Sequence, residues 1–171
     1  MLIFGTPDDV FAMAIRIKEN GKTFYELVSK KIGADPITTK LFEDLASLEE
    51  AQAECFKVIR SDLPNYFPET SVWDPEGLAK SYLEAAADNE VFTPEVTAER
   101  LKTVHTPLEA LEIAIEFEKD SVHFLLGMKD MNSDPNYVRE LDKLICQEMD
   151  HVRMLSEAKK TCRPTECEIA S

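Results

Sequence analysis

Four long stretches of the chain place apolar residues three and four positions apart, the pattern of a helix that buries one face. The first runs from about Pro7 to Ile32, with Phe11, Ala14, Ile15, Lys18, Gly21, Tyr25 and Val28 along one stripe. The second, from about Pro36 to Arg60, carries Leu41, Leu45, Leu48, Gln52, Cys55, Phe56 and Ile59. The third, from about Pro107 to Met131, carries Leu108, Leu111, Ile115, Glu118, Val122 and Leu125. The fourth, from about Pro135 to Lys159, carries Leu141, Leu144, Ile145, Glu148, His151 and Leu155. Each opens on a repeated signal in which Thr or Asp stands directly before proline: Thr6-Pro7, Asp35-Pro36, Thr106-Pro107 and Asp134-Pro135. The capping side chain accepts bonds from orphan amides, and proline at the first helical position gives up an N–H that would be unbonded anyway. The same signal recurs at Asp74-Pro75 and Thr93-Pro94.

Short links around Gly33 and Asn132 make helices one and two, and helices three and four, antiparallel neighbours. Between the two hairpins lies a long connection, Ser61 to His105, which starts rich in Pro and aromatics and carries a short helical pattern near Glu76 to Ala87. The predicted fold is an all-α, antiparallel four-helix bundle with a long crossover between helices two and three. It forms one domain over residues 1–171, with a tail from about 160 to 171.

Polar residues that interrupt the stripes carry the chemistry. Glu148 and His151 sit among Leu144, Ile145 and Leu155; Glu49 and Gln52 follow Leu45 and Leu48; Glu118 lies between Ile115 and Val122. Burying an unpaired carboxylate is costly, so a carboxylate on a core stripe wants a cation. Residues three apart share a helical face, so Glu148 and His151 can reach a common point. One nitrogen with several oxygens suits iron, zinc or manganese.

Charge and composition narrow the remaining classes. A formal net charge of −14 repels phosphate backbones and anionic membrane surfaces, so neither nucleic acid nor a membrane is expected as a partner. No apolar run approaches the ~20 residues of a membrane span, and the first residues lack the pattern of a secretory signal. Four cysteines are widely spread. Cys55 and Cys146 read as small buried residues, while Cys162 and Cys167 form one unaccompanied C-x4-C pair in a polar tail. A reducing cytoplasm fits them. The apolar crossover residues Leu63, Tyr66, Phe67, Val72 and Trp73 point to a homodimer.

Four segments in register resemble the rubrerythrin-like members of the ferritin-like superfamily. They are Gly21-Lys-Thr-Phe-Tyr25, Leu41-Phe-Glu-Asp-Leu-Ala-Ser-Leu-Glu49, Ala110-Leu-Glu-Ile-Ala-Ile-Glu-Phe-Glu-Lys-Asp-Ser121 and Gln147-Glu-Met-Asp-His151. The resemblance implies a carboxylate site with one Glu on helices one and three, and Glu-x-x-His on helices two and four, around two metals. Glu49, Glu118, Glu148 and His151 fall on ligand positions, but Lys18 stands where the first-helix Glu belongs and Gln52 where the second-helix His belongs. Both departures strike one metal position. The rubredoxin-like iron centre, with its two Cys-x-x-Cys pairs, is also missing from the sequence.

Three carboxylates against one Lys18 ammonium leave a charge that a single divalent ion would neutralise. Lys18 therefore either stands in for the first metal or snorkels to the surface while Gln52 bonds in the core. Glu19 is turned about 100° around the helix and would serve only if that helix rotated. His105 and His123 read as surface or packing residues. The expected function is a metal-binding ferritin-like protein with one retained position for iron, zinc or manganese and weak oxidoreductase chemistry on a small oxidant. Two other functions stay open: a working di-iron reductase of peroxide or oxygen, holding two ions, and a non-catalytic helical interaction module.

Overall fold

The computed structural model describes residues 7–32, 36–62, 94–130 and 134–162, together with Ser81. Among them are five helices: α1 (Pro7–Lys31), α2 (Pro36–Ser61), α3 (Pro94–Thr103), α4 (Pro107–Asp130) and α5 (Pro135–Thr161). No strand occurs among the described residues. The four predicted helices are present within a residue or two of their expected bounds, and α3 is an addition at the flagged Thr93-Pro94 signal. The crossover aromatics, the Glu76–Ala87 pattern apart from Ser81, and Cys167 lie outside the described residues.

Two helix starts show why the chain folds there. At α4, Thr106 Oγ1 accepts from the Glu109 amide (3.2 Å), and a Glu109 carboxylate oxygen accepts in return from the amides of Thr106 (2.9 Å) and His105 (2.7 Å). This reciprocal box satisfies several orphan donors at once. At α5, Asp134 accepts from the amides of Asn136 (2.8 Å) and Tyr137 (3.1 Å).

The core is divided. One apolar cluster gathers Phe11, Phe56, Phe124, Tyr137, Leu141 and Ile145 with their neighbours. The other gathers Phe24, Phe42, Leu45, Leu111, Ala114 and Leu155 with theirs. Each fully buried aromatic or leucine contributes roughly 1.5–3 kcal/mol relative to exposure. Along α1 the first cluster precedes the second; along α2 and α4 the order is reversed; α5 repeats the order of α1. Helices α2 and α4 therefore run in the same sense. The chain between them has to return along the bundle, about 36 Å for a 24-residue helix such as α4.

Helix α3 lies at the end of that return and is fastened to both hairpins. Lys31 Nζ donates to the Leu101 carbonyl (2.7 Å), Arg100 pairs with Glu116 (2.9 Å) and covers the Phe117 ring, and Val104 joins the second cluster.

Two sequence expectations fail on helical phase. Leu48 is 42% exposed, because the buried face of α2 runs through Phe42, Ala46, Glu49 and Ala53 instead. Cys146 is exposed, since its neighbour Ile145 takes the core position; Cys55 is half-buried. Cys162, expected in a polar tail, is half-buried against the second cluster.

At the far end of the bundle the buried Tyr137 hydroxyl donates to the Met128 carbonyl (2.9 Å), one of the orphan acceptors at the α4 C-terminus. Tyr137→Phe should lower unfolding free energy by about 1–2 kcal/mol while retaining helix content, measured by chemical denaturation followed by circular dichroism.

Candidate metal centre

Between the two apolar clusters lies a layer of buried polar side chains: Lys18 from α1, Glu49 and Gln52 from α2, Glu118 and Ser121 from α4, Glu148 and His151 from α5. On α2, α4 and α5 the two residues are three apart, so both project from one face at one level. Glu148 is fully buried, and Lys18 is 2% exposed. The lysine does not snorkel to the surface.

The Lys18 ammonium is held from three sides. Nζ donates to Glu148 Oε2 (2.5 Å), to Glu49 Oε1 (3.4 Å, with Oε2 at 3.3 Å) and to Ser121 Oγ (3.4 Å). An ammonium has three protons, and each finds an acceptor.

The other side of the layer centres on His151. Its Nδ1 lies 3.4 Å from Glu118 Oε1 and 3.7 Å from both Glu49 Oε1 and Glu148 Oε1. Ligand atoms of Glu49, Glu118, Glu148 and His151 all fall within 4.8 Å of one another. Among the described residues of the layer, Gln52 Oε1 is buried with no hydrogen-bond partner, and so are three atoms of the His151 side: His151 Nδ1, Glu148 Oε1 and Glu118 Oε2. Such orphans are costly, and a cation among the last three would satisfy them. The donor set of one imidazole and three carboxylates fits one divalent ion. Gln52, at the position of the missing histidine, donates to Gln147 Oε1 (3.3 Å) instead.

Burial sets the protonation of this layer. Burial pulls the Lys18 pKa down, but Glu148, Glu49 and Glu118 outweigh it and hold the ammonium above the ordinary lysine value. Burial pushes Glu148 up, yet the Lys18 charge outweighs it and brings the carboxyl below the ordinary carboxylate value. Burial, helped by their neighbouring carboxylates, raises Glu49 and Glu118 well above it. Burial lowers His151, favouring neutral imidazole, the form that binds metals.

Three further residues complete the centre. The Tyr25 hydroxyl donates to Glu118 Oε1, fixing that carboxylate from the second cluster. Gly21 gives Glu49 its space: a β-carbon there would lie 2.6 Å from Glu49 Oε2. Ser121 receives Lys18. A cavity of about 20 Å³, room for one water-sized molecule, reaches Glu49 and Glu118 past Gly21, Tyr25, Thr97 and Phe117. An open groove between α2 and α5 has Gln52 and His151 in its lining.

The polar roles of Tyr25 and Ser121 are absent from the stripe pattern, where Tyr25 reads as packing. Spacing could have found them: Ser121 is three residues from Glu118, and Tyr25 is seven from Lys18. Glu19 points away and pairs with Lys57 (3.2 Å). His105 and His123 are exposed, as expected.

Comparison with known proteins bears on the family and the fold. A crystal structure from Thermotoga maritima, of a protein described as ferritin-like and diiron-carboxylate, is similar at 28% identity with a TM-score of 0.64. The similarity covers 90% of this chain and 94% of that one. No curated protein matches the sequence significantly. The family model for rubrerythrin matches residues 9–159. The chain therefore belongs to the rubrerythrin family and has its ferritin-like, all-helical fold.

Proposed function

We propose that this protein binds one divalent ion, iron, zinc or manganese, through Glu49, Glu118, Glu148 and His151. The observation that carries this reading is the set of three buried, partnerless atoms, His151 Nδ1, Glu148 Oε1 and Glu118 Oε2, drawn together in one layer. A bound iron or manganese ion would supply one-electron exchange with a small oxidant such as oxygen or peroxide. The chain's own part is positional. Tyr25 holds Glu118, and an apolar cluster closes each side of the layer, leaving the small cavity past Gly21 and the open groove between α2 and α5 as approaches. The protein from Thermotoga maritima is described as diiron-carboxylate, which favours iron among the three metals.

The direct test is elemental analysis after expression with all three metals available. Wild type should retain about one ion per chain, and His151→Ala should lose it together with the metal-induced rise in melting temperature. Metal content unchanged by His151→Ala would refute the ligand assignment.

Stability of the metal-free protein should depend on pH with a definite sign. Glu49 and Glu118 have raised pKa values in the folded state, so above the ordinary value of 4.5 the native protein holds more protons than the unfolded chain. Stability from these groups is then lost as pH rises. The lowered pKa of His151 acts oppositely, but only below its ordinary value of 6.5. Above that pH the melting temperature of the metal-free protein should fall. Saturating metal should flatten or reverse the slope, because ligation keeps both carboxylates deprotonated. Thermal melts from pH 6.5 upward, with and without metal, check it.

Gly21→Ala favours the helix by about 1 kcal/mol but displaces Glu49. The variant should fold and bind metal roughly 10–100-fold more weakly, measured by titration calorimetry.

A further inference from the structure

Two of the three carboxylates that approach His151 also reach Lys18. Glu148 turns Oε1 toward His151 and gives Oε2 to Lys18. Glu49 has Oε1 at 3.7 Å from His151 Nδ1, while both its oxygens lie near Lys18 Nζ, Oε1 at 3.4 Å and Oε2 at 3.3 Å. Glu118, the third, meets His151 and the Tyr25 hydroxyl. Two carboxylates thus bridge two cation positions, one beside His151 and one filled by Nζ. Ser121 Oγ closes the second position, and all three ammonium protons are used.

We infer that Lys18 is a built-in second cation: its ammonium takes the place of one of the two ions that the bridging pair Glu49 and Glu148 could hold, and thereby fixes the centre at one exchangeable metal. This rests on the metal-site reading above and adds to it a residue that sets stoichiometry. The charges agree. Three carboxylates opposed by one ammonium need one divalent ion for neutrality, and a second ion would leave an excess of buried positive charge. Ligands agree as well, since Gln52 offers the Lys18 side no imidazole and donates to Gln147. A tethered cation cannot dissociate, so Lys18 also keeps Glu148 and Glu49 paired when the exchangeable ion is lost. Lys18 is a positioning residue in this scheme and touches no substrate.

Metal stoichiometry tests the assignment. Purified full-length protein is loaded with zinc and, separately, with manganese(II), dialysed and analysed for ions per chain. Wild type should hold one ion. Lys18→Glu combined with Gln52→His returns a fourth carboxylate and a second imidazole and should hold two. Lys18→Ala, which empties the ammonium position without adding a ligand, should take up a second ion of lower affinity, visible as a second phase in titration calorimetry. It carries the test should the double variant fail to fold. Two ions in wild type would overturn the role of Lys18 while leaving the metal site standing. One ion in the variants that fold would show that Lys18 is not what excludes the second. No ion in wild type would overturn the metal-site reading, and the inference with it.

Discussion

A buried ammonium against buried carboxylates is the constraint around which the rest of this bundle is arranged. Moving such charges out of water costs several kcal/mol for each ion, and their mutual attraction offsets that only with full hydrogen bonding and close geometry. Lys18 meets the requirement with Glu148, Glu49 and Ser121. Glu118, Glu148 and His151 each keep an atom that does not meet it. The layer is thus half self-sufficient and half left with unsatisfied polar atoms, and both halves lie in the middle of a helical core.

That layer also governs packing. Because polar residues occupy one level on all four long helices, the apolar stripes are cut in two, and each cluster closes one side of the centre. Sliding a helix by one turn would place Lys18 or a carboxylate among phenylalanines, so the charges fix the register that apolar packing alone would leave tolerant. The same-sense course of α2 and α4 obliges a long return, and its last part, α3, ends beside the cavity that leads to Glu49 and Glu118. Thr97 of α3 is buried in that cavity wall. Helix α3 thus both ties the hairpins together and lines one approach to the centre.

Much of this was legible in the sequence. The four long helices follow from period and from the capping residue before each proline, and the candidate ligands stand out as charges on apolar stripes. Lys18 could be singled out but not placed, because a lysine stem of four methylenes reaches either water or the core, and only its partners decide. Leu48 and Cys146 were misplaced for a related reason. A stripe read by threes and fours tolerates a drift of one position, and next to Glu49 or Ile145 that drift moves a side chain from inside to outside. Tyr25 and Ser121 stayed hidden because a hydroxyl on an apolar face looks like packing until its partner on another helix is known. α3 is short, and its face is defined by what it covers.

The opposed directions of α1 and α4, and of α2 and α5, relate the two hairpins by a residue-for-residue match through the polar layer, Lys18 falling with Glu118 on the first pair and Glu49 with Glu148 on the second. Buried positions correspond across it: Phe11 with Leu111, Ala14 with Ala114, Phe24 with Phe124, and Val28 with Met128 on one pair; Leu45 with Leu144 and Phe56 with Leu155 on the other. Glu49 and Glu148 are counterparts and both survive as carboxylates, one from each hairpin. The remaining matched pairs break the symmetry, with Lys18 against Glu118, Gly21 against Ser121, and Gln52 against His151. One half of a quasi-symmetric pair supplies its own positive charge, and the other carries a carboxylate and an imidazole instead. An architecture that pairs equivalent half-sites can thus make them unequal through a few side chains, without altering the backbone that relates them.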